Sequence, residues 1–301
     1  MLSIALLGGG AWGSTLKVLF QQSGHHVKLW RRADGSDVLN QLQQVDLVVC
    51  AVAFAGVADL ASKLSRWQNH PPLLSCSKGL DPDTGATASQ IWQTQCPWVK
   101  TMVLSGPNLA SELSQGLPAA SVLAGKDEDQ LLRFQTELSS ECLRFYRNHD
   151  PVGTEVAGGL KNVIAIAAGV CDGMGLGANA RASLLTRGLA EMGVVIKALG
   201  GQAETLYGLA GLGDLLATAT SSLSRNYRFG FALAEGLSMA AALERIGATV
   251  EGVPTCKAVL TIAKRMDLKL PIASQVEELV QGRCDPQQTL QNLMERQLRR
   301  E

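Results

Sequence analysis

The chain has 301 residues, of which 46% are hydrophobic and 18% charged, and its 27 basic side chains balance 27 acidic ones. This composition is typical of a globular protein of about two domains, and it excludes an intrinsically disordered chain. The zero net charge provides no electrostatic attraction for nucleic acid or for a membrane surface, so we expect neither as a partner.

The N-terminus and the cysteines indicate a cytoplasmic protein. No apolar run reaches the roughly 18 residues of a membrane span. The first residues, MLSIALLGGG, lack a basic segment and lead into glycines, which favours a buried strand over a secretory signal. Seven scattered cysteines form no CxxC pair, and the four histidines do not cluster near them. We therefore predict reduced cysteines that act as small core residues, and no metal site.

The first 150 residues alternate between apolar runs and helical segments. Helices are predicted over Thr15–Phe20, ending near Gly24, and within Asp127–Ser140. Strands are predicted over Leu2–Leu7, His26–Trp30, Asp46–Val52, Leu73–Ser77, Val99–Leu104, Ser121–Ala124 and Leu143–Tyr146. This alternation predicts a parallel sheet that is covered by helices on both faces. Only the 15 residues Arg31–Val45 join the second strand to the third, so we predict that the sheet is abridged there.

After Asp150-Pro151 the pattern changes to helical periods punctuated by glycine. The segment GLKNVIAIAAGV is apolar nearly all round and predicts a helix buried within its domain. Further helices are predicted over Arg181–Leu199, Met239–Ile246, Pro254–Met266 and Pro286–Leu298, and the final RQLRR is expected to be a solvated helix end. The sequence thus predicts an α/β protein. A Rossmann-type parallel sheet occupies residues 1–150, and an all-α substrate domain occupies residues 151–301.

A glycine-rich turn follows the first predicted strand. Gly8, Gly10 and Gly13 form the pattern GxGxxG at the start of a helix, with Ala11 and Trp12 between them. In such loops the first glycine makes the turn, the second admits a pyrophosphate and the third lets helix and strand pack closely. Backbone N–H groups at the helix N-terminus then bind the phosphates. We predict a dinucleotide site here, with Trp12 near the pyrophosphate.

The end of the second strand bears on the choice of cofactor. An acidic residue there usually binds the ribose of NAD, whereas arginine suits the 2′-phosphate of NADP. This chain has Arg31 and Arg32 at that position, followed by Asp34. NADPH is therefore expected to bind, while Asp34 keeps NADH open as the alternative, and a solvated pair of arginines is the structural alternative.

Five longer segments carry a resemblance to a known family. They are SKGLDPDTG, SGPNLASELSQGLPAA, GGLKNVIAIAAGVCDGMGLGANARASLLTRGLAEM, GLAGLGDLLATATSSLSRNYRFG and VEGVPT, in this order. The chain resembles the bacterial glycerol-3-phosphate dehydrogenases from the glycine turn to about Met266. The resemblance implies a Rossmann domain followed by a helical substrate domain. It also implies NAD(P)-dependent interconversion of dihydroxyacetone phosphate and sn-glycerol 3-phosphate, which feeds phospholipid synthesis. The assembly that we expect is a homodimer.

Two lysines are candidates for the chemistry. Lys161 lies in the apolar helix, where loss of hydration lowers the pKa of an amine and lets it exchange a proton near neutral pH. A lysine whose ammonium group reaches water at the helix edge is the alternative. The resemblance implies that Lys161 is the acid/base, with Asn162 anchoring the substrate or the helix. Lys78 follows a strand at the carboxyl end of the sheet, where such folds bind ligands. The resemblance implies that Lys78 faces cofactor and substrate, and a solvated loop lysine is the alternative.

Polar residues of the second half are candidates for substrate binding. Asp214 either caps the helix that follows it or, as the resemblance implies, contacts the substrate hydroxyls or Lys161. Ser224, Arg225 and Asn226 stand at a predicted helix start, where hydroxyl, guanidinium and amide groups suit a phosphate monoester. A serine-capped helix with exposed arginines is the alternative. The resemblance assigns all three to the glycerol phosphate, and Arg225 also to the cofactor.

The resemblance implies four further contacts. Gly106 and Asn108 of SGPNLA are expected beside the substrate, and Ala110 of the same segment beside the cofactor. Glu251 of VEGVPT is also expected to contact the cofactor. Two alternatives to the whole assignment are a dehydrogenase for another hydroxy acid or sugar acid, and a dinucleotide-binding protein without activity.

The chain departs from the family pattern in two places. The short Arg31–Val45 link removes part of the wall on the adenosine side of the cofactor. After the third strand, Val52, Ala53 and a shifted Phe54 replace the expected proline–serine pair and phenylalanine. These changes are expected to affect cofactor affinity more than chemistry.

Overall fold

The computed structural model describes residues 1–35, 37–67 and 71–295, and the seven predicted strands are all present in it. Their bounds are β1 Ser3–Leu7, β2 His26–Trp30, β3 Leu47–Cys50, β4 Leu73–Ser75, β5 Thr101–Ser105, β6 Ala119–Ala124 and β7 Leu143–Asn148. They form one sheet in the order β2-β1-β3-β4-β5-β6-β7. The predicted α/β class with a Rossmann-type sheet is confirmed.

The sheet is abridged on one side, as predicted. In the described sheet β2 is an edge strand, and the chain returns from it across β1 to β3. The link contains only two short 3-10 helices, Arg32–Asp34 and Val38–Leu42. Its length explains this, because a full crossover with a helix takes at least 10–12 residues before any additional strand is counted.

The direction of the last two strands refines the predicted parallel sheet. Strands β1 to β5 are mutually parallel, but β6 pairs with β5 in antiparallel fashion, and β7 is parallel to β6. The β5–β6 connection holds a single short helix, α4 (Ala110–Leu113), and does not cross the sheet. A connection of this kind returns the chain beside the strand that it has just left, and therefore in the opposite direction.

Helices cover both faces of the sheet. Apolar residues of α1 (Ala11–Gln22) and α5 (Glu128–Leu138) pack on one face, and those of α2 (Val57–Leu64) and α3 (Ala88–Gln95) pack on the other. Because both faces are buried, the strands are apolar runs rather than alternating ones. Gly24, with φ +83°, lies just beyond the end of α1, where a helix stop was predicted.

The rest of the described chain is helical, as predicted. The helices are α6 Pro151–Gly173, α7 Gly177–Ala198, α8 Asp214–Ala219, α9 Arg225–Ala234, α10 Met239–Ile246, α11 Gly252–Met266, α12 Pro271–Val280 and α13 Pro286–Met294. A 3-10 helix, Ala203–Tyr207, and a π-helix, Leu209–Gly213, lead into α8. Residues 296–301, which include the RQLRR tip and the end of the predicted last helix, lie outside the described residues.

Helix α6 is the centre of this helical region. It packs against α7, α8, α9, α11 and α12, which explains why it is apolar nearly all round. It is the one described helix long and apolar enough to cross a membrane, yet 89% of its most apolar window is buried inside the protein. Its N-terminus is fixed by Asp150, which accepts from Gly153 N at 2.9 Å and from Thr205 Oγ1 at 2.8 Å.

Candidate active site

The site lies where the parallel strands end. The carboxyl ends of β1, β4 and β5 lie at one edge of the sheet, which we call the carboxyl edge. Gly8, Lys78 and Gly106 follow these three strands. Helix α6 passes beside this edge so closely that a Cβ on Gly158 would lie 2.8 Å from Ser105 Oγ and 3.4 Å from Lys78 Cδ. The first half of the chain and α6 therefore build the site together.

The glycine turn has the geometry of a phosphate site. Gly8 has φ +115°, and a Cβ on Gly13 would lie 2.0 Å from the Gly8 carbonyl oxygen. Gly10 is the N-cap of α1 and provides no side chain to cap it, and a Cβ there would meet no protein atom within 4 Å. The exposed Ala11 follows. The N-terminus of α1 is thus open to an anion, which fits the pyrophosphate of a dinucleotide.

Trp12 and Ala110 lie around this turn. Trp12 is partly buried and packs against the apolar cluster of the sheet that includes Cys76, just beyond the end of β4. Ala110 begins α4, and its carbonyl oxygen accepts from Thr15 Oγ1 of α1 at 3.3 Å. The structure thus brings both residues to the helix that opens at the glycine turn, and their contact with a cofactor stays a prediction.

The two arginines after β2 differ in their surroundings. The side chain of Arg31 crosses the glycine turn, with its Nε 2.4 Å from the position that a Cβ on Gly9 would take. Arg32 points toward Asp59 of α2, with 3.7 Å between the charged atoms, and is largely exposed. Asp34 accepts from the Arg31 backbone N–H at 3.1 Å. Arg31 is therefore the arginine that faces the dinucleotide turn.

One buried carboxylate joins the two predicted lysines. Lys161 of α6 donates to Oδ1 of Asp214, and Lys78 donates to Oδ2 of the same side chain at 2.6 Å. Lys78 also donates to the Gly106 carbonyl oxygen at 3.4 Å. Lys161 and Asp214 are buried, whereas the Lys78 side chain keeps 23% of its exposure. The ammonium group of Lys161 therefore does not reach water at the helix edge, and Lys78 is not a solvated loop lysine. Both alternatives are excluded.

Burial is the largest influence on the pKa of Lys161. Loss of hydration lowers the pKa of its ammonium group, Asp214 raises it and the positive charge of Lys78 lowers it, and the net result is a pKa of about 7. A lysine with such a pKa gives and takes a proton near neutral pH, which is the property required of a general acid or base. The surroundings of Lys161 in the apolar helix α6 are thus consistent with the predicted role as an acid/base.

Asp214 does not cap its own helix. It is the first residue of α8, and the N-cap position is Gly213, without a side-chain cap. The alternative reading as a capping residue is wrong, because the π-helix before it continues into α8 and the carboxylate turns to the lysines. One turn further along α8, Thr218 Oγ1 accepts from Lys161 Nζ at 2.8 Å. Thr218 was not predicted as a site residue, although it follows Asp214 by four residues and so lies on the same helix face.

The predicted phosphate residues meet at the start of α9. Ser224 is the N-cap and accepts from Tyr227 N at 3.2 Å, so a serine-capped helix is present. Arg225 is exposed beside it, whereas Asn226 is buried. Asn226 donates to Asn162 Oδ1 and accepts from Gly252 N, both at 2.9 Å, and so ties α9 to α6 and α11. Binding of a phosphate by these residues stays a prediction.

Glu251 and Asn108 lie on either side of the site. Burial raises the pKa of the Glu251 carboxyl group, while Arg225 and the backbone of Phe54, beyond β3, oppose this. Asn108 is held by β6, since it donates to Ala120 O at 3.2 Å and accepts from Ser121 Oγ at 2.6 Å. Glu251 therefore links the helical region to the carboxyl edge, and the amide group of Asn108 is engaged with the sheet.

Neither disulfide bonds nor a metal-binding group are present among the described residues. All seven cysteines are free thiols, and five of them are buried. In the part of the chain that the structure describes, no group of three or more His, Cys, Asp or Glu residues could hold a metal ion.

Comparisons with known proteins decide the family. The profile described as NAD-dependent glycerol-3-phosphate dehydrogenase C-terminus matches residues 150–291. The corresponding N-terminus profile matches residues 3–44 and 33–131. The chain belongs to this family. Its first half is accordingly an NAD(P)-binding region of Rossmann type, and the resemblance found in the sequence is confirmed.

Relatives match this dehydrogenase chain from end to end. Glycerol-3-phosphate dehydrogenase (NAD(P)+) of Synechococcus sp. (strain RCC307) is 58% identical over 298 residues, which cover 99% of each chain. The enzyme of that name from Acaryochloris marina is 47% identical over 301 residues, covering 99% of this chain and 97% of that one. A crystal structure of glycerol-3-phosphate dehydrogenase from Coxiella burnetii superposes with a TM-score of 0.93 at 33% identity, covering 98% and 99%.

Proposed function

We propose that this protein catalyses the reversible, NAD(P)-dependent reduction of dihydroxyacetone phosphate to sn-glycerol 3-phosphate. The observation that carries the proposal is the buried Lys161, paired with Asp214 beside Lys78 at the carboxyl edge. This pair lies at the same edge of the sheet as the glycine turn. An amine that titrates near pH 7 is therefore positioned where a substrate can meet a dinucleotide cofactor.

Lys161 is the proton donor of the proposed reduction. When bound, the reduced nicotinamide supplies the hydride to the carbonyl carbon. Protonated Lys161 gives its proton to the carbonyl oxygen, and neutral Lys161 takes it back in the oxidation. Asp214 holds the Lys161 ammonium group in place and balances its charge. Lys78 supplies a second positive charge, which polarises the carbonyl group and favours the negative charge that develops on its oxygen.

The start of α9 is the proposed seat of the substrate phosphate. The exposed guanidinium group of Arg225 and the first backbone N–H groups of the helix are suited to an anion. Ser224 fixes this helix end, and Asn226 holds it against α6. Binding energy from the phosphate then serves to position the carbonyl group, so substrates without a phosphate should lose rate as well as affinity.

Arg31 favours NADPH as the cofactor. Its side chain crosses the glycine turn, whereas Arg32 is directed to Asp59. A guanidinium group there suits the 2′-phosphate of NADP. We expect Arg31→Ala to raise the KM for NADPH and to leave the KM for NADH nearly unchanged. Arg32→Ala is the matched control and should change both constants less.

The remaining assignments follow from the family and the fold. Residues 1–150 are proposed to be the dinucleotide-binding domain, since β7 ends at Asn148 and α6 begins at Pro151, and residues 151–301 the substrate domain. We propose that the enzyme is cytoplasmic and supplies sn-glycerol 3-phosphate to phospholipid synthesis. A homodimer is the proposed assembly, and light scattering of the purified protein tests it.

The decisive experiment follows oxidation of NADPH and NADH by the purified protein with dihydroxyacetone phosphate. We expect turnover in the wild type and a roughly 100- to 10,000-fold fall of kcat in Lys161→Met. The exposed Lys257, on α11, provides the control variant Lys257→Met, which should keep full activity. Folded wild-type protein that binds NADPH without turnover would overturn the proposal. Turnover of another hydroxy acid, but not of glycerol 3-phosphate, would replace its substrate.

A further inference from the structure

Helix α6, which carries Lys161, also carries a buried acid that has no part in the proposed mechanism. Glu155 lies in the first half of α6 and is 2% exposed. Its Oε1 accepts from the backbone N–H of Ser89 at 2.8 Å, and its Oε2 accepts from the Ser89 hydroxyl group. Ser89 is in the first turn of α3, on the sheet side of the molecule. Glu155 therefore binds the N-terminus of a helix that belongs to the first half of the chain.

This contact is additional to the capping that α3 already has. Thr87 and Gln90 form a reciprocal capping box at the start of α3, with the Thr87 N–H donating to Gln90 Oε1 at 2.9 Å. The box satisfies the Thr87 and Gln90 N–H groups, and the Ser89 N–H of the same turn is left to Glu155. Burial raises the pKa of the Glu155 carboxyl group to about 7, so this contact between α6 and α3 is made by an acid that has lost its hydration.

The segment before α3 is held by the helical region. Residues 76–87 connect β4 to α3, and we call them the β4–α3 connection. Leu80 of this connection is part of the apolar core that surrounds α6. The Thr84 carbonyl oxygen accepts from both terminal nitrogens of Arg265, each at 3.1 Å. Gly79 lies against Gly159 of α6, where a Cβ would come within 3.3 Å of Gly79 Cα. The connection thus leaves the sheet at Cys76 and Ser77, and from Gly79 onward it contacts the helical region.

Lys78 is the third residue of this connection. Its stem lies beside Gly158 of α6, and its Nζ reaches Asp214. Gly158 and Gly159 lie three and four residues after Glu155, so all three share one face of α6. On that face Glu155 binds Ser89, two residues beyond the end of the connection. Lys161 follows six residues after Glu155, about 9 Å along the same helix. One helix therefore carries one lysine of the site and holds the segment that carries the other.

We propose that Glu155 is a positioning residue for Lys78, holding the β4–α3 connection on α6 so that both lysines reach Asp214. This proposal rests on the proposed function for its kinetic test, but it also makes a claim about Lys78 that is independent of turnover. Without Glu155, the start of α3 at Ser89 is released from α6, the connection that precedes it loosens, and Lys78 leaves the carboxylate.

The test compares Glu155→Leu with two matched variants. Glu155→Gln keeps an acceptor for the Ser89 N–H and a polar partner for its hydroxyl group, and it should behave as the wild type. Glu191→Leu removes a carboxylate that caps another helix in the same manner, since it accepts from Ile272 N at 2.7 Å and Ala273 N at 3.2 Å of α12. Any general cost of losing a carboxylate that caps a helix appears in both leucine variants.

The first readout needs no turnover. Competitive acetylation followed by mass spectrometry measures the reactivity of Lys78 relative to the exposed Lys257 in the folded proteins. Glu155→Leu should raise the relative rate at Lys78 several-fold, because its Nζ becomes accessible once it leaves Asp214. The same rate in Glu155→Leu and wild type would overturn the proposal, whether or not the protein reduces dihydroxyacetone phosphate.

The second readout is the pH profile of glycerol 3-phosphate oxidation. We expect Glu155→Leu to lower kcat roughly 10- to 100-fold, as displacements remote from the chemistry do. Its acid limb should move to higher pH, because Lys161 loses a positive neighbour. Lys78→Met should move the limb in the same direction, and adding Glu155→Leu to it should move the limb no further. A lower rate with an unchanged limb, or additive shifts, would show a merely structural role.

Discussion

Lys161 and Asp214 form a buried ion pair, although 53 residues separate them in the sequence. Burial of the lysine favours its neutral form, and the carboxylate favours its charged form. The first effect is the larger, which brings the pKa of Lys161 to about 7. The balance between burial and one carboxylate therefore sets the pH range in which the residue can exchange a proton.

Removing the carboxylate should move the pH profile in a defined direction. Oxidation of glycerol 3-phosphate requires neutral Lys161, so its rate should rise as the pH passes through about 7. In Asp214→Asn the lysine loses the charge that raises its pKa, so the rise should occur at lower pH, together with a lower maximal rate. The profile of kcat/KM from pH 5 to pH 9 measures both effects.

The surface residue Asp59, which is paired with Lys63, provides the control for this experiment. Asp59→Asn should leave the profile unchanged. A rise at higher pH in Asp214→Asn would contradict the argument, since it would mean that the carboxylate lowers the pKa of Lys161.

Thr218 offers a smaller test of the same site. Its Oγ1 accepts from Lys161 Nζ at 2.8 Å and lies 3.4 Å from Asp214 Oδ1. Thr218→Val keeps the shape of the side chain but removes the acceptor, which should cost about 1 kcal/mol of stability and about tenfold in kcat. Thr218→Ser keeps the hydroxyl group and should restore the rate. Equal rates in the valine and serine variants would show that the hydroxyl group has no part in placing Lys161.

Local patterns predicted the seven strands and several of the helices, whereas α2, α3 and α12 were not located from the sequence. The strand His26–Trp30 and the helix Met239–Ile246 have the predicted bounds. The buried strands and α6 were found because continuous burial leaves an apolar run in the sequence. The reversal of β6 could not be predicted in this way, since the direction of a strand depends on whether the connection before it crosses the sheet, and β5–β6 carries only α4.

Some residues of the candidate site could likewise be predicted from local patterns, and others could not. The glycine turn and Lys161 were found from local patterns, because a phosphate turn needs glycines at fixed spacing and a lysine in an apolar helix is conspicuous. Thr218 and Glu155 were missed because their partners lie 57 and 66 residues away. An ordinary threonine or glutamate has no local signal for such a contact, which only the packing of α8 or α3 against α6 creates.

Two glycines of the dinucleotide turn should respond differently to alanine. At Gly13 a Cβ would lie 2.0 Å from the Gly8 carbonyl oxygen, so Gly13→Ala should destabilise the fold by about 1–3 kcal/mol, as overpacking does. At Gly10 a Cβ meets no protein atom within 4 Å, so Gly10→Ala should fold normally and weaken NADPH binding through contact with the pyrophosphate. Urea unfolding and NADPH fluorescence titration separate the two effects. Wild-type affinity in folded Gly10→Ala would remove the turn from the proposed cofactor site.

Glu155 should make the stability of the protein depend on pH. Burial raises the pKa of its carboxyl group from 4.5 to about 7, so the folded state holds a proton that the unfolded state releases between these values. Its stabilising contribution is therefore complete below pH 4.5 and is lost as the pH rises through 7. The shift corresponds to an upper limit on the order of 3 kcal/mol. Urea midpoints from pH 4.5 to pH 8 measure this loss.

Glu155→Gln isolates this contribution, because glutamine does not titrate. The stability of the wild type relative to this variant should fall between pH 4.5 and pH 7 and then stay constant. Lys161 acts with the opposite sign, since its lowered pKa makes stability rise with pH between about 7 and 10.5, and its effect is common to both proteins. A difference between the two proteins that does not change with pH would mean that Glu155 keeps an ordinary pKa, and that the folded protein accommodates its charge without cost.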